Sequence, residues 1–457
     1  MLYSVDPTTG ERVAEYDIHT SAEVDALLDQ AVGAQRVWRR TPLRERLELL
    51  SSIARVLRGD SERYARAITR EMGKPIVEAR AEIEKSAVTL DHYAAHAERY
   101  LAPDVIASDA EESMVVFEPL GVVLAIMPWN YPFWQFFRFA APAFAVGNGA
   151  VLKHANNVPE CATLVAEVVR RAGAPEGLAT SLLIPSDRVE AVIADDRIAA
   201  VTLTGSSRVG ALVASQAGAV LKKQVLELGG SDPFIVLADA DLDAASSAAV
   251  RSRFNTTGQS CVNAKRFLVD ETVADRFVEL FVEKTRALVV GDPDDDQTRI
   301  GPVARDDLRA TLHDQVVRSV AEGADLRLGG RPVDRPGYFY APTVLDRVTP
   351  GMAAFAEETF GPVAAITRVA GAAEAIELAN RSEYGLGAAL WTSDLEQARR
   401  LIPDIEAGAV FVNGMVASDA RLPFGGIKRS GYGRELSGYG LREFTNAKTV
   451  WIGPGAA

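Results

Sequence analysis

From residue 121 onward, the chain alternates short apolar segments with amphipathic ones, and this alternation limits the fold more than any other feature. Apolar runs typical of strands lie at 121–127, 150–153, 181–184 and 199–204, and helical patterns lie between them at 132–144 and 159–172. Continuous apolar strands that alternate with helices predict a parallel sheet with both faces covered. Such sheets bind ligands beyond the carboxyl ends of their strands.

A second series of strand and helix patterns runs from 232–237 to 408–412, which places a domain boundary near 229–230. Upstream of the first sheet, Thr20 and Glu23 have the spacing of a capping box that opens a helix. Another helix is predicted at 43–57. The segments 113–118 and 449–452 fit neither series and are predicted as lone strands. The fold class is therefore α/β, with two sheet units and a small additional β element.

Length, charge and cysteine content exclude several classes of protein. A chain of 457 residues is too long for one core and predicts two or three domains. The net charge of -13 argues against nucleic-acid binding, because that depends largely on neutralising phosphates with basic side chains. The sequence shows neither a signal-peptide pattern nor an apolar stretch long enough to span a membrane. Two cysteines fit a reducing compartment, and we expect a cytoplasmic protein without a membrane partner.

One cysteine lies in a polar segment where chemistry is more plausible than packing. Cys261 ends the segment NTTGQSC (255–261), and Glu227 opens the segment ELGG (227–230) upstream. A nucleophilic thiol needs access and nearby donors that favour its thiolate. A carboxylate between an apolar strand and two glycines is a candidate base for the same site. The alternative for Cys261 is a small buried apolar side chain, which is how we interpret Cys161 in its apolar helix.

These two motifs, at this spacing, resemble the E-L-G-G and G-Q-x-C motifs of the aldehyde dehydrogenase superfamily, and the resemblance extends from 6–10 to 433–435. It implies a Rossmann-type cofactor domain (1–98 and 119–229), an α/β catalytic domain (230–436) and a small β oligomerisation arm (99–118 and 437–457). In the superfamily, segments matching 113–118 and 449–452 pair across subunits, which implies a homodimer or homotetramer. The alternative is an edge strand within one subunit.

The resemblance also assigns the chemistry. The Cys261 thiolate would add to an aldehyde, and the thiohemiacetal would lose hydride to a nicotinamide. Asn130 and the Cys261 backbone N–H would form the oxyanion hole. Glu227 would deprotonate the water that hydrolyses the thioester. Glu435, in the matching GRE segment (433–435), is either a second proton relay or an ion-pair partner.

The expected cofactor site combines segments that follow strands. The turn 204–210 ends a strand and opens a helix, so its amides can meet a pyrophosphate. By resemblance, Glu358 and Phe360 hold the nicotinamide ribose, and Leu228 lies against the nicotinamide. The predicted cofactor-binding residues are Trp129, Asn130, Lys153, His154, Ala155, Asn156, Gly205, Ser206, Leu228, Glu358 and Phe360.

The nucleotide preference depends on the segment KHAN (153–156). NAD-preferring members of the superfamily commonly carry a glutamate at its fourth position, which would repel a 2′-phosphate. Asn156 does not repel it, and Lys153 can pair with it. We expect NADP as the preferred cofactor, with NAD possible. Arg188 either reaches the phosphate or faces solvent.

Two segments suggest which aldehyde is oxidised. Arg138 lies one turn after Trp134 in an apolar helix, where a guanidinium should find an anion. That anion is either a structural carboxylate or the substrate's, because Arg138 matches a substrate-carboxylate arginine of succinate-semialdehyde dehydrogenases. Ser418 matches a substrate-binding serine of that subfamily, Arg421 adds a cation and Phe424 would wall the pocket. We therefore expect succinate semialdehyde as the small-molecule substrate.

Three other functions stay open at this point. They are a broad-specificity dehydrogenase of small aldehydes, an enzyme that transfers the acyl group to coenzyme A, and a non-catalytic protein on the same scaffold. Glu227 favours hydrolysis over transfer to coenzyme A. His92 and His96 have helical spacing but no third ligand nearby, so we predict no metal. Asn263 stands where some relatives carry a second cysteine, so no disulfide switch is expected there.

Overall fold

The computed structural model describes residues 1–453 as a set of parallel-sheet units covered by helices. In chain order, the strands of this part are β1 Leu2–Asp6, β2 Glu11–Tyr16, β3 Asp104–Val105, β4 Glu112–Pro119, β5 Val122–Met127, β6 Gly149–His154, β7 Ala179–Ser181, β8 Ile198–Thr204, β9 Lys223–Glu227, β10 Asp232–Val236, β11 Ala264–Asp270, β12 Asp325–Leu328, β13 Thr343–Asp346, β14 Val363–Val369, β15 Tyr384–Gly385, β16 Ala388–Trp391, β17 Val410–Val412, β18 Ile427–Lys428, β19 Gly431–Tyr432 and β20 Thr445–Ile452. The α-helices are α1 Ser21–Trp38, α2 Leu43–Gly59, α3 Ser61–Met72, α4 Ile76–Leu101, α5 Trp134–Val146, α6 Pro159–Arg171, α7 Val189–Ala194, α8 Ser207–Ala219, α9 Leu242–Phe254, α10 Glu271–Arg286, α11 Asp306–Ala321, α12 Ala353–Ala356, α13 Ala372–Asn380, α14 Leu395–Leu401 and α15 Ser437–Glu443.

The first sheet has six strands in the order β19-β9-β8-β5-β6-β7, and the strands from β9 to β7 are parallel. Its central strand β5 is buried on both sides. Val123 and Ala125 pack into the core formed by α2 to α6, whereas Val122 and Leu124 pack into the core of the opposite face. This confirms the predicted parallel sheet with both faces covered.

The last strand of this sheet differs from the prediction. The apolar run 181–184 was expected to be the strand, but β7 is Ala179–Ser181. Leu182 continues the ladder with one hydrogen bond to Leu152, and Pro185 follows shortly after. Leu182 and Ile184 are buried, so the apolar pattern at 181–184 reflects burial of these side chains and not strand pairing.

The second sheet has seven strands in the order β12-β13-β14-β11-β10-β16-β17, with only β12 antiparallel to its neighbour. Strand β9 belongs to the first sheet and β10 to the second, so the sheets change within 228–231, where the domain boundary is predicted. The short strand β19 returns from the predicted catalytic segment and pairs with β9. The exact domain bounds stay a prediction.

A separate three-stranded sheet has the order β20-β4-β3. The segments 113–118 and 449–452 lie in β4 and β20 and belong to neither large sheet, as expected. They are not lone strands, however, because they pair with each other over their full lengths, from Thr445 opposite Pro119 to Ile452 opposite Glu112. The end of the predicted oligomerisation segment, 454–457, lies outside the described residues.

The helices before the first sheet include the two predicted ones. Thr20 caps α1, and its side chain and that of Glu23 form the expected capping box. The 26-residue helix α4 packs against α2 and α5 and carries several buried charged residues toward the site described below. Within residues 1–453, no helix combines the length and the apolar character needed to cross a membrane.

Candidate active site

The parallel register of the first sheet brings the ends of four strands to one edge. Met127 at the end of β5 lies opposite His154 of β6, and Thr204 at the end of β8 lies opposite Glu227 of β9. The residues that follow these strands therefore converge, as the parallel arrangement predicts. They include most of the predicted catalytic and cofactor-binding positions.

The segment before Cys261 has an unusual backbone. Thr256 and Thr257 both adopt left-handed conformations, with φ values of 54° and 55°. This is costly for β-branched residues, so the surrounding contacts must enforce it. A carboxylate oxygen of Glu78 accepts a hydrogen bond of 2.7 Å from the Thr256 backbone N–H, and the Tyr131 hydroxyl lies 2.7 Å from Thr256 Oγ1. These contacts fix the path of the chain into the cysteine loop.

The cysteine itself is held by its backbone. Lys265 Nζ donates hydrogen bonds to the carbonyl oxygens of Ser260 (3.0 Å) and Cys261 (2.9 Å). The Cys261 carbonyl also lies so close to Gly230 that a Cβ at that position would be 2.6 Å from it. Burial raises the pKa of the Cys261 thiol to about 11, although the charge of Lys265 opposes the shift. At neutral pH the thiol is therefore protonated, and its activation requires a base.

Glu227 is a buried carboxyl group at the end of β9, with only 2% of its surface exposed. Neither of its oxygens has a hydrogen-bond partner among residues 1–453. Desolvation raises its pKa well above the usual value, and the nearby carboxylate of Glu435 raises it further. A raised pKa suits a group that accepts and releases a proton near neutral pH.

Arg138 has a structural anion. Its guanidinium forms a buried ion pair with Glu435 and donates a hydrogen bond of 3.2 Å to Thr204 Oγ1. It also lies 4.9 Å from the centroid of the Phe424 ring. Of the two anions considered from the sequence, the structural carboxylate is thus present, and of the two roles considered for Glu435, the ion-pair partner is present.

Asn130 lies against the cysteine loop, as the oxyanion-hole prediction requires. Its amide nitrogen donates a hydrogen bond of 3.0 Å to the carbonyl oxygen of Gln259, two residues before Cys261. The Gln259 side chain in turn accepts a hydrogen bond of 2.9 Å from the Ala304 backbone N–H. This contact anchors the loop to the segment that precedes α11. The amide group of Asn130 keeps a second N–H that the loop does not use.

A cavity of about 130 Å³ lies in front of Cys261. Four of the five predicted substrate-binding residues line it: Trp134, Arg138, Ser418 and Phe424. Arg421 is not among the lining residues, since its side chain is 77% exposed and paired with Asp419. The sequence reasoning missed Lys85, which reaches the cavity from α4. A signal existed, because Glu78, Glu82 and Lys85 repeat at helical spacing along one face of that helix.

A second, larger cavity of about 590 Å³ lies at the ends of β5, β6 and β8. Its lining includes the predicted cofactor residues Lys153, His154, Ala155, Asn156, Gly205 and Ser206. Ser206 caps α8, and the N-terminus of a helix is a favourable place for an anionic ligand. Tyr3 and Arg305 also line the cavity, although they lie far from the other residues in sequence and carry no motif.

The charged end of this cavity has a cation, Lys153, that has no carboxylate partner among residues 1–453. Lys153 Nζ donates hydrogen bonds to the His154 carbonyl (2.6 Å) and to Asn156 Oδ1 (2.9 Å). Burial lowers the pKa of Lys153 to about 8. The His154 ring lies 2.9 Å from the Pro132 carbonyl, and burial lowers its pKa to about 4, so the imidazole is neutral. His154 thus holds the strand ends together while Lys153 provides the charge.

The residues predicted to surround the nicotinamide come from both sheet units, and several of them contact each other or the segment around Gly230. Trp129 and Phe360 meet edge to face, with ring centroids 5.7 Å apart. Glu358 accepts a hydrogen bond of 3.1 Å from the Gly230 backbone N–H and pairs with Lys265 at 3.4 Å. Leu228 is buried directly after Glu227. The second sheet's segment 358–360 therefore reaches the loop that holds Cys261.

The sequence also singled out Arg188, His92 and His96, and each of them contacts other protein groups. Arg188 does not line the cavity at the ends of β5, β6 and β8. It does not face solvent freely either, because its guanidinium donates hydrogen bonds of 2.6 Å to the His19 carbonyl and 3.1 Å to the Ser21 hydroxyl. The rings of His92 and His96 stack at 4.6 Å. In the part of the chain that the structure describes, no group of three or more metal-ligating side chains is present.

The remaining cysteine is inert by its surroundings. Cys161 is fully buried in α6, and burial raises the pKa of its thiol well above the usual value. At the position of a second loop cysteine, Asn263 instead donates hydrogen bonds to the carbonyl oxygens of Arg253 (3.1 Å) and Asn255 (2.8 Å). The loop is therefore held by amide contacts.

A partly buried cysteine at a cavity wall, with a second, larger cavity at the ends of the parallel strands, is the arrangement expected for the aldehyde dehydrogenase class of fold and site. A model of the aldehyde dehydrogenase family matches residues 2–450. The chain is 51% identical to the succinate semialdehyde dehydrogenase [NAD(P)+] Sad of Escherichia coli (strain K12), over 98% of this chain and 97% of that protein. It is 49% identical to a probable succinate-semialdehyde dehydrogenase [NADP(+)] of Synechocystis sp., over 99% of each chain.

Solved structures agree with this assignment. The crystal structure of succinic semialdehyde dehydrogenase from Streptococcus pyogenes in complex with NADP+ superposes with a TM-score of 0.97 at 40% identity, over 99% of this chain and 100% of that one. The chain therefore belongs to the aldehyde dehydrogenase family, as the ELGG and GQSC motifs indicate.

Proposed function

We propose that this protein oxidises succinate semialdehyde to succinate with NADP, through a covalent intermediate on Cys261. The observation that carries the proposal is a cavity lined by the Cys261 thiol and by the cationic side chains of Lys85 and Arg138. The buried carboxyl group of Glu227 lies close enough to Cys261 for its charge to raise the pKa of the thiol. The names of the relatives at about half identity support the same activity.

The chain's own residues supply the covalent steps. The Cys261 sulfur adds to the aldehyde carbon as its proton passes to a solvent water molecule, forming a thiohemiacetal whose oxyanion accepts hydrogen bonds from the Asn130 amide and the Cys261 backbone N–H. NADP, when bound, accepts the hydride that converts this adduct to a thioester. Glu227 then takes a proton from water, whose oxygen attacks the thioester carbon, and the carbon–sulfur bond breaks to release succinate and the free cysteine.

The cavity at the strand ends fits NADP. In the described part of the chain, the hydrogen-bond acceptors around the Lys153 ammonium group are neutral, so a phosphate can become its counter-ion. Asn156 occupies the place where a carboxylate would repel that phosphate, and the N-terminus of α8 favours the pyrophosphate. We propose that Trp129, Leu228, Glu358 and Phe360 surround the nicotinamide end. NAD, which lacks the 2′-phosphate, is expected to bind more weakly.

The second candidate is a broad-specificity dehydrogenase of small aldehydes with the same mechanism. It is favoured by one observation, namely that Arg138 already has Glu435 as its anion. The test is steady-state NADPH formation with succinate semialdehyde and with butanal, each repeated with NAD. A kcat/KM at least tenfold higher for succinate semialdehyde, about 1.4 kcal/mol, supports the proposed substrate. Equal values for the two aldehydes would leave the broad-specificity enzyme, and Cys261→Ala should abolish both activities.

We also propose that the protein is a cytoplasmic homo-oligomer, either a dimer or a tetramer. Strand β20 lies at the edge of the small sheet, and Trp451 and Ile452 near its end are exposed. An exposed edge strand with apolar residues is a surface that natural proteins usually cover. Light scattering coupled to size-exclusion chromatography would give the mass, and a monomer of 49.1 kDa would contradict the proposal.

A further inference from the structure

The cation that lines the substrate cavity without a carboxylate partner is Lys85, not Arg138. Lys85 Nζ donates a hydrogen bond of 2.7 Å to Ser418 Oγ and lies 4.4 Å from the centroid of the Trp134 ring. Within residues 1–453, no carboxylate lies within ion-pair distance of it, whereas the Arg138 guanidinium is paired with Glu435. Of the two cations that line the cavity, only Lys85 has its charge uncompensated.

The carboxylates nearest to Lys85 already have other partners. Glu82, one turn earlier in α4, pairs with Lys74 through one oxygen. Its other oxygen accepts hydrogen bonds from the backbone N–H groups of Phe133 (2.9 Å) and Trp134 (3.0 Å). This carboxylate is therefore bound by the N-terminus of α5 and is not available to Lys85.

Asp419 is the other acidic side chain near this lysine. It pairs with Arg421 through both oxygens at the surface, and hydrogen bonds from Arg421 hold its pKa at about 2. It is not among the residues that line the cavity. A ligand carboxylate is thus the partner that the geometry leaves open for Lys85.

A half-buried ammonium group with only neutral partners is energetically unfavourable. Burial lowers the pKa of Lys85 to about 8, and the positive charge of Arg138 lowers it further. An anion in contact with the ammonium group would reverse this effect. Lys85 keeps two N–H donors beyond the one directed to Ser418, and the Ser418 hydroxyl keeps its own proton for donation. Together they offer a two-point site for a carboxylate.

We propose that Lys85, together with Ser418, binds the terminal carboxylate of the aldehyde and sets the preference for a carboxylated substrate. Arg138 lines the same cavity, but its charge is already paired with Glu435. Cys261 and Lys85 line the same small cavity, so a short chain with an aldehyde at one end and a carboxylate at the other can contact both. This assignment rests on the proposed function, and it is specific about which side chain recognises the carboxylate.

The test compares carboxylated and uncharged aldehydes in Lys85→Met and Lys85→Gln. Methionine keeps much of the aliphatic stem, and glutamine keeps a donor but loses the charge. We expect KM for succinate semialdehyde to rise at least tenfold in both variants, with kcat changed less than threefold. We expect kcat/KM for butanal to stay within threefold of wild type. The inhibition constant of succinate should rise in parallel with KM, which loss of structure alone would not produce.

Lys223→Met is the matched control, because Lys223 is an exposed lysine at the start of β9. It should change none of these values. If wild type itself does not prefer succinate semialdehyde over butanal, the proposed function fails independently of Lys85. If wild type shows the preference and both Lys85 variants retain it within threefold, the assignment to Lys85 is overturned. If Lys85→Met does not fold, Lys85→Gln alone decides in the same way.

Discussion

Replacing Glu227 with glutamine removes an ionisable group beside Cys261 while nearly preserving its shape. Because neither carboxyl oxygen has a hydrogen-bond partner among the described residues, the substitution breaks no internal hydrogen bond. Burial disfavours a charge at this position, and glutamine carries none. We therefore expect the free energy of unfolding to change by less than about 1 kcal/mol. Any effect on turnover then reports chemistry instead of folding.

The size of the effect follows from the step that needs a base. General-base catalysis contributes a factor of about 100 to 10,000, which corresponds to about 2.7 to 5.4 kcal/mol of activation free energy. Among the described residues, Glu227 has neither an ion pair nor a hydrogen bond to its carboxyl oxygens, whereas Glu435 is paired with Arg138. We expect kcat to fall by this factor through slow hydrolysis of the thioester. Hydride transfer precedes that step and should be affected much less.

Stopped-flow measurement of NADPH formation separates the two steps. Glu227→Gln should give a rapid burst close to one NADPH per active site, followed by slow turnover. Glu322→Gln, at an exposed carboxylate that follows α11, is the control and should behave as wild type. Steady-state turnover within tenfold of wild type would refute the assignment of the base. Loss of the burst together with turnover would place Glu227 in activation of the thiol instead.

Four further outcomes follow from the charges in the site. Glu435→Gln removes a negative charge that raises the pKa of Glu227, so the acidic limb of the kcat–pH profile should move to lower pH. The same variant leaves Arg138 buried without its anion and should lower the free energy of unfolding by about 3 to 5 kcal/mol in denaturant titrations. The Cys261 thiol, with its pKa of about 11, should react with iodoacetamide about tenfold faster for each pH unit between 7 and 10, measured against Cys261→Ser as the background. Asn156→Glu places a carboxylate beside the expected 2′-phosphate and should raise KM for NADP at least tenfold, with little change for NAD; equal changes for both cofactors would contradict that placement.

The sequence predicted the parts of the site that depend on local pattern. Lys153, Asn156 and Glu227 each follow or end an apolar strand, and a parallel sheet necessarily brings such positions to one edge. The capping box at Thr20 is equally local, because its two residues are in the same turn. These features could be predicted because the strand and helix periods are fixed by backbone geometry.

What the sequence did not predict are contacts between distant segments. Lys85 and Ser418 are 333 residues apart, and no local period relates them. The partner of Arg138 could be predicted as an anion but not identified, because any carboxylate brought near by the fold would satisfy it. The left-handed conformation of Thr256 could not be predicted either, because threonine normally avoids it and the packed neighbours enforce it here. In each case tertiary contacts overrule the preference of the local sequence.

The two buried carboxyl groups of the site differ because one cation lies closer to one of them. Burial raises the pKa of both Glu227 and Glu435, and the charge of Arg138 opposes the rise in both. The direct ion pair with Arg138 favours the charged form of Glu435, and the Glu435 carboxylate in turn raises the pKa of Glu227. Two like groups with separated pKa values are the usual basis for separate roles in acid–base catalysis. On this reasoning Arg138 acts on the reaction indirectly, because its ion pair with Glu435 leaves Glu227 as the carboxyl group available as the base. Lys85, which has no ion pair in the described part of the chain, then provides a charge for the substrate's own carboxylate.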